Sequence, residues 1–173
     1  MINIYVDGAC KGNPGPGGFG VVILEDEYIQ NFGGQPQKTD KKHIAYAYSE
    51  QCKQTTNNRE ELKAIIHAFE LAQKTFPNET CIIYSDSSYS VNTCNNWIFN
   101  WARNNWKNSK KQTVENLDLM KILYNYLSMD FFNCQVVRVP GHQNILGNEL
   151  ADALATGNIV KFQKLMDKNN LSK

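Results

Sequence analysis

The chain has 173 residues, 42% of them hydrophobic and 20% charged, with a formal net charge of +1. Such a chain is long enough for one sizeable core and short for two, and its composition is ordinary for a globular protein, so a single domain is expected. No run approaches the about 20 apolar residues that a membrane-spanning helix needs. The N-terminus lacks a basic-then-apolar leader, so no signal peptide is expected; the expected state is a soluble, cytoplasmic monomer with no membrane partner. Five scattered cysteines (Cys10, Cys52, Cys81, Cys94 and Cys134) have no paired metal-ligand spacing, which argues against zinc and suits a reducing compartment. With so little net charge, any polyanion must be held by local patches.

In chain order, Ile2, Ile4 and Val6 alternate with Asn3, Tyr5 and Asp7, a half-buried strand pattern. A Gly/Pro-rich turn from Gly12 to Gly18 leads into a second strand, Phe19 to Leu24, and a third is expected near Tyr28 to Gly33. The polar segment 35–54 reads as an insertion, either an extra hairpin arm or a loose loop. Leu62, Ile65, Ile66, Phe69 and Leu71 then recur at helical spacing up to Phe76-Pro77. Cys81 to Tyr84 reads as a buried strand, and Asp86-Ser87-Ser88 as a helix start leading through Trp97 and Trp101. After a polar break, a helix is expected over Leu117–Leu127, a last strand over Gln135–Val139 and a helix over Asn148–Ala155. The tail 158–173 has Ile159, Phe162, Leu165 and Met166 at helical spacing, fit either to dock or to fray. Pattern alone therefore gives an α/β fold with a mixed sheet and parallel crossovers in its later half.

Four acids carry the chemical interest, and each has a plain reading beside the functional one. Asp7 either points into a site or faces solvent from its strand. Asp86 ends a buried strand, at the sheet edge where α/β proteins bind ligands, or simply caps a helix. Glu60 and Glu61 suit a helix first turn on dipole grounds alone. Asp152 lies among Ala151, Ala153 and Ala155, which would let its helix approach a site closely, although a solvated face is the commoner case. Taken together, carboxylates without thiol or histidine partners are hard oxygen donors suited to magnesium or manganese and to phosphoryl transfer.

Other residues suit a nucleic-acid surface. Thr55-Thr56-Asn57-Asn58-Arg59 gathers hydroxyls, amides and a guanidinium at a helix start, matched to phosphate and sugar hydroxyls. Trp97, Trp101 and Trp106 lie near Arg103, Lys107, Lys110 and Lys111, an interleaving that suits a backbone-tracking ridge, although Trp97 and Trp101 also fit a core. His142 follows Pro140-Gly141 in a polar loop, where it is either plainly solvated or a proton relay.

With these residues in view, the chain resembles the type 1 ribonuclease H family, of the bacterial kind with a basic protrusion. The matching pieces, in order, are YVDGACKGNPGPGGFG (Tyr5 to Gly20), TTNNREEL (Thr55 to Leu62), YSDSSY (Tyr84 to Tyr89) and VPGHQNILGNELADALA (Val139 to Ala155). The resemblance implies a mixed five-stranded sheet, three strands antiparallel and two parallel, flanked by helices. It implies a catalytic domain over 1–157, with the tail 158–173 outside it. It implies that Asp7, Glu61, Asp86 and Asp152 hold two magnesium ions, with manganese a substitute, and that His142 assists proton transfer or product release. Glu61 is preferred to Glu60 because the family's acid directly precedes Leu. Cys10, Asn13, Asn57, Asn58 and Ser87 match positions that sense the RNA strand's 2′-hydroxyls; Thr56, Arg59 and Ser88 lie in the same matched pieces, and Trp97 through Lys111 matches the protrusion. The implied activity is hydrolysis of the RNA strand of RNA–DNA hybrids, leaving 5′-phosphate and 3′-hydroxyl ends. Ser88 stands where the family often has Gln, and the protrusion carries fewer cations than is common. Two rivals share these features: an inactive hybrid-binding module, and a DNA-cutting relative of the same fold.

Overall fold

Residues 1–29, 33–129 and 133–171 are described by the computed structural model. The alternation in the first strand is realised as β1 (Ile2–Cys10), with Ile2, Ile4 and Val6 buried. β1 pairs antiparallel with β2 (Gly15–Ile29) from Ile4↔Ile23 to Cys10↔Gly17. β2 pairs antiparallel with β3 (Gln37–Thr55), as in Val21↔Tyr48. α1 (Asn57–Thr75) follows, its first turn closed by Thr56, whose Oγ1 accepts from Arg59 N at 3.2 Å. β4 (Cys81–Ser85) joins β1 in parallel. Next come α2 (Ser88–Asn92), a π-helical turn (Thr93–Trp97), α3 (Ile98–Arg103) and α4 (Leu117–Leu127). β5 (Cys134–Arg138) pairs in parallel with β4, and α5 (Leu146–Ala155) and α6 (Ile159–Lys168) complete the described fold. The sheet order is β3-β2-β1-β4-β5, the expected mixed five-stranded sheet.

Two expectations need correction. The third strand does not lie at Tyr28–Gly33: Tyr28 and Ile29 finish β2, residues 30–32 fall outside the described ones, and Gly33 sits in a turn. The segment read as an insertion is the third strand itself, an edge strand on which Ile44 and Thr55 are the buried positions. Its far end is tied to β2 by charge, with Lys38 3.2 Å and Lys42 3.8 Å from Asp26. The tail is helical and docked, since Phe162 and Met166 of α6 are buried.

Helices cover both faces of the sheet. On one, Leu62, Ile65 and Phe69 of α1 and Met120 and Leu123 of α4 close over Ile4, Val6, Val21 and Ile83. On the other, Leu150, Ala151 and Ala153 of α5 and Phe162 and Met166 of α6 cover Val22, Leu24 and Ile44. Two glycines let the helices come close to the strands. A Cβ on Gly8 would lie 2.3 Å from Glu61 N, and one on Gly20 would lie 2.5 Å from Ala151 O. The first turn of α1 is therefore seated on β1, and the second half of α5 on β2. The five cysteines are free thiols.

Candidate active site

Three of the four acids converge. Asp7, Glu61 and Asp86 each offer an oxygen, and these oxygens all lie within 4.8 Å of one another. The local structure explains how. Asp7 projects from the middle of the sheet on β1 and is 5% exposed; its ladder partner on β2 is Gly20, against which α5 packs closely. Glu61 is brought in by the close contact of α1 with Gly8 and is 3% exposed. Asp86 follows the end of β4. The helix cap there is Ser87, whose Oγ accepts from Ser90 N at 3.1 Å, so the Asp86 carboxylate is left to the cluster.

The electrostatics are those of acids crowded out of water. Burial, then Glu61 and Asp86, pushes the Asp7 carboxyl far above the ordinary carboxylate range. Burial and Asp86 raise Glu61 as well, partly offset by hydrogen bonds from Asp7 and the Gly8 backbone. Glu61 Oε2 is buried and has no hydrogen-bond partner. A buried carboxylate oxygen left bare is costly, and a hard cation among three such oxygens would satisfy it. The donor set is all oxygen, as magnesium and manganese prefer. These residues therefore fit a divalent metal.

Asp152 stands at the rim. It hydrogen-bonds Asp7, while its Oδ2 lies 2.6 Å from Lys161 Nζ of α6. Burial would raise its pKa, but the bonds from Lys161 and Asp7 prevail and hold it below the ordinary value. His142 is exposed with φ +55°, near enough to Asp152 to add its charge to that lowering. Gly141 lies against Asp86: a Cβ there would sit 3.0 Å from Asp86 Oδ2.

Asn13, Thr56 and Asn58 line a groove of about 430 Å³ with Glu115 and Asn116. Within it Asn13 Oδ1 accepts from Asn57 N at 2.8 Å, locking the β1–β2 turn to the start of α1. Cys10 is half-buried, its thiol 3.4 Å from Thr55 O. Arg59 is engaged within the chain: its guanidinium donates to both Asp118 oxygens, at 3.0 and 2.8 Å, and to Asn116. Ser87 is half-buried and Ser88 exposed.

Trp97 and Trp101 meet at a tilt, their ring centroids 6.2 Å apart, and Trp97 is 40% exposed while Trp101 packs on the core. With Lys107 and Lys111 they line a groove of about 960 Å³. Lys110 is exposed beside it. Trp106 faces the other way, edge-on to Tyr124 at 5.6 Å.

Sequence reasoning missed two residues here. Lys161 lies in the tail that had no assigned role, and a lysine beside the fourth acid leaves no spacing signal because it comes from another helix. Glu60 is fully buried and paired with Lys63 at 2.9 Å, a structural neighbour of the site rather than an exposed first-turn acid.

Comparison with known proteins agrees with this geometry. The RNase H family model matches residues 1–159. Ribonuclease H of Orientia tsutsugamushi (strain Boryong) is 37% identical over 172 residues, covering 99% of this chain and 90% of its own. Ribonuclease H of Legionella pneumophila (strain Lens) is 41% identical over 155 residues, covering 89% and 93%. Among solved structures, LC9-RNase H1, a type 1 RNase H with the type 2 active-site motif, superposes with a TM-score of 0.69 at 27% identity, over 89% of this chain and 69% of that one. LC11-RNase H1 in complex with RNA/DNA hybrid gives 0.59 at 25% identity, over 93% and 98%. With a family model spanning nearly its whole length and relatives matched end to end, the chain belongs to the RNase H family.

Proposed function

We propose that the chain is a divalent-metal-dependent endonuclease that hydrolyses the RNA strand of RNA–DNA hybrids, leaving 5′-phosphate and 3′-hydroxyl ends. The observation that carries the reading is the buried Asp7–Glu61–Asp86 cluster, with its oxygens within 4.8 Å of one another and Asp152 at its rim. In this reading the four acids hold two magnesium ions, or manganese in their place. When bound, the ions activate a water and neutralise charge on the phosphate being cut.

The chain's own groups do the rest. Asp7 holds a proton between its neighbours' carboxylates and gives it up on loading, so metal binding releases protons. Glu61 Oε2, bare and buried, is fixed by α1 and needs no rearrangement to act as a ligand. His142, on its exposed loop beside Asp152, is placed to move a proton at the departing oxygen. Cys10, Asn13, Thr56, Asn57, Asn58, Ser87 and Ser88 form the surface that reads the ribose hydroxyls, with Arg59 bracing it through Asp118. Trp97, Trp101, Lys107, Lys110 and Lys111 track the DNA backbone from the groove they line or border. Residues 1–157 serve as the catalytic unit, with 158–173 as an extension that carries α6. The chain acts as a monomer in the cytoplasm; its free thiols fit a reducing compartment.

The test is incubation of the purified protein with labelled hybrid, duplex DNA and duplex RNA, in magnesium or in EDTA. Loss of the hybrid's RNA strand alone, in magnesium alone, is expected. Binding without cutting would leave a hybrid-binding module, and cutting of duplex DNA would make it a DNA-cutting relative.

A further inference from the structure

Among the described residues, Lys161 is the cation paired with the site's acids: its Nζ lies 2.6 Å from Asp152 Oδ2, with both side chains more than half shielded from solvent. The contact is built rather than incidental. Gly157, with φ +68°, reverses the chain between α5 and α6. Asn158 caps α6 by accepting from Lys161 N at 3.0 Å, which fixes the backbone from which the lysine reaches. One and five residues on, Phe162 and Met166 bury themselves against Leu150, Ala151 and Ala153 of α5. The first turn of α6 is thereby pinned beside Asp152, and the ammonium takes up part of the negative charge of four crowded acids.

A divalent cation approaching Asp152 meets that ammonium on the same carboxylate. We propose that Lys161 is a positioning residue that serves as the resident counter-charge of Asp152, stabilising the metal-free site and weakening the binding of the divalent cation at the Asp152 end. The inference rests on the reading of Asp152 as a metal ligand. It differs in sign from a plain staple between α5 and α6. A staple that merely holds Asp152 in place would weaken metal binding when removed, because the carboxylate would wander. A competitor would strengthen it, because the cation no longer shares the oxygen.

The test is calorimetric titration of magnesium chloride into the metal-free wild type, Lys161→Met and Lys161→Arg, with melting temperatures followed over the same magnesium range. Lys161→Met is expected to bind the weaker magnesium ion roughly five- to tenfold more tightly, a typical size for two coupled cations. It should melt lower than wild type in EDTA, with the gap closing as magnesium rises. Lys161→Arg, which keeps the charge, should behave as wild type. Should the methionine variant not fold, Lys161→Gln gives the same comparison. Unchanged or weaker magnesium binding in the uncharged variants, with wild type binding normally, would overturn the inference and leave the metal site standing. A wild type that neither takes up magnesium nor gains stability from it would remove both.

Discussion

Replacing Asp7 by asparagine keeps the side chain's shape and removes one charge from a buried cluster of acids. Without metal, those acids oppose one another and the burial that holds them. Asp7→Asn should therefore raise the melting temperature in EDTA by a few degrees, read by scanning calorimetry. It should also lower cleavage by about three orders of magnitude or more, because a metal's charge stabilisation is worth several kcal/mol. A variant that still turns over normally would sink the role given to Asp7. His67 supplies one pH dependence, distinct from that of the site's acids. Its ring stacks on Tyr48 at 4.3 Å, its Nε2 lies 2.7 Å from Tyr46 Oη, and burial lowers its pKa against the opposing pull of Glu70 and Glu50. The unfolded chain then takes up a proton that the folded chain resists, so stability is full above the free-histidine value of 6.5 and falls as pH drops below it. The raised Asp7 and Glu61 carboxyls act in the opposite sense, gaining stability as they protonate, so the His67 contribution is read by difference: the urea midpoint of wild type relative to His67→Phe should fall between pH 7.5 and 5.0. At this scale the four acids were legible by resemblance. Their convergence was not, because each has an ordinary use as a cap, a first-turn acid or a surface residue.

Among the elements, β3 was the one that hydrophobic pattern concealed. Of its 19 residues only Ile44 and Thr55 are fully buried, and the partial alternation at Tyr46 and Tyr48 is short and set among polar residues, so the pattern that reveals β1 is weak here. What makes it a strand is the ladder it shares with β2, from Gly15↔Thr55 to Ile29↔Gln37, and pairing of that kind leaves no apolar signature. Its lysines, Lys38, Lys41, Lys42 and Lys53, also suit an edge that must not recruit another strand. α1 and α4, by contrast, were legible because each buries a stripe at helical spacing. The contact of α1 with β1 can be tested at Gly8, where a Cβ would lie 2.3 Å from Glu61 N and 2.5 Å from Glu60 C. Backbone cannot yield as a side-chain tip can. Gly8→Ala should cost about 2 kcal/mol, in the range of overpacked cores, and should weaken magnesium binding by displacing Glu61. Thermal unfolding and calorimetric titration check the two halves separately. On the opposite face, Phe162→Ala should cost about 3 kcal/mol, as is usual for a buried Phe, and chemical denaturation would show it. An unaltered midpoint would mean that α6 is not docked in solution.

Over the whole molecule, a net charge of +1 leaves no general attraction for a polyanion, so binding must be concentrated on one surface. The groove of Trp97, Trp101, Lys107 and Lys111, with Lys110 beside it, is that surface in the proposed nuclease. Lys107→Ala combined with Lys110→Ala should raise the KM for hybrid, most steeply at higher salt. It should also flatten the slope of log affinity against log salt, by about 0.9 for each phosphate left unneutralised if the hybrid behaves as a B-form duplex does. A change that ignored salt would point to packing instead. The site's acids come from β1, α1, the end of β4 and α5, so they span most of the 173 residues. Asp7 and Asp152 lie far apart in sequence, and no fragment that lacks either holds the full set of acids. Competence of the site thus waits on the pairing of β1 with β4 and the docking of α5, and a fragment that stops short of Asp152 should not assemble it.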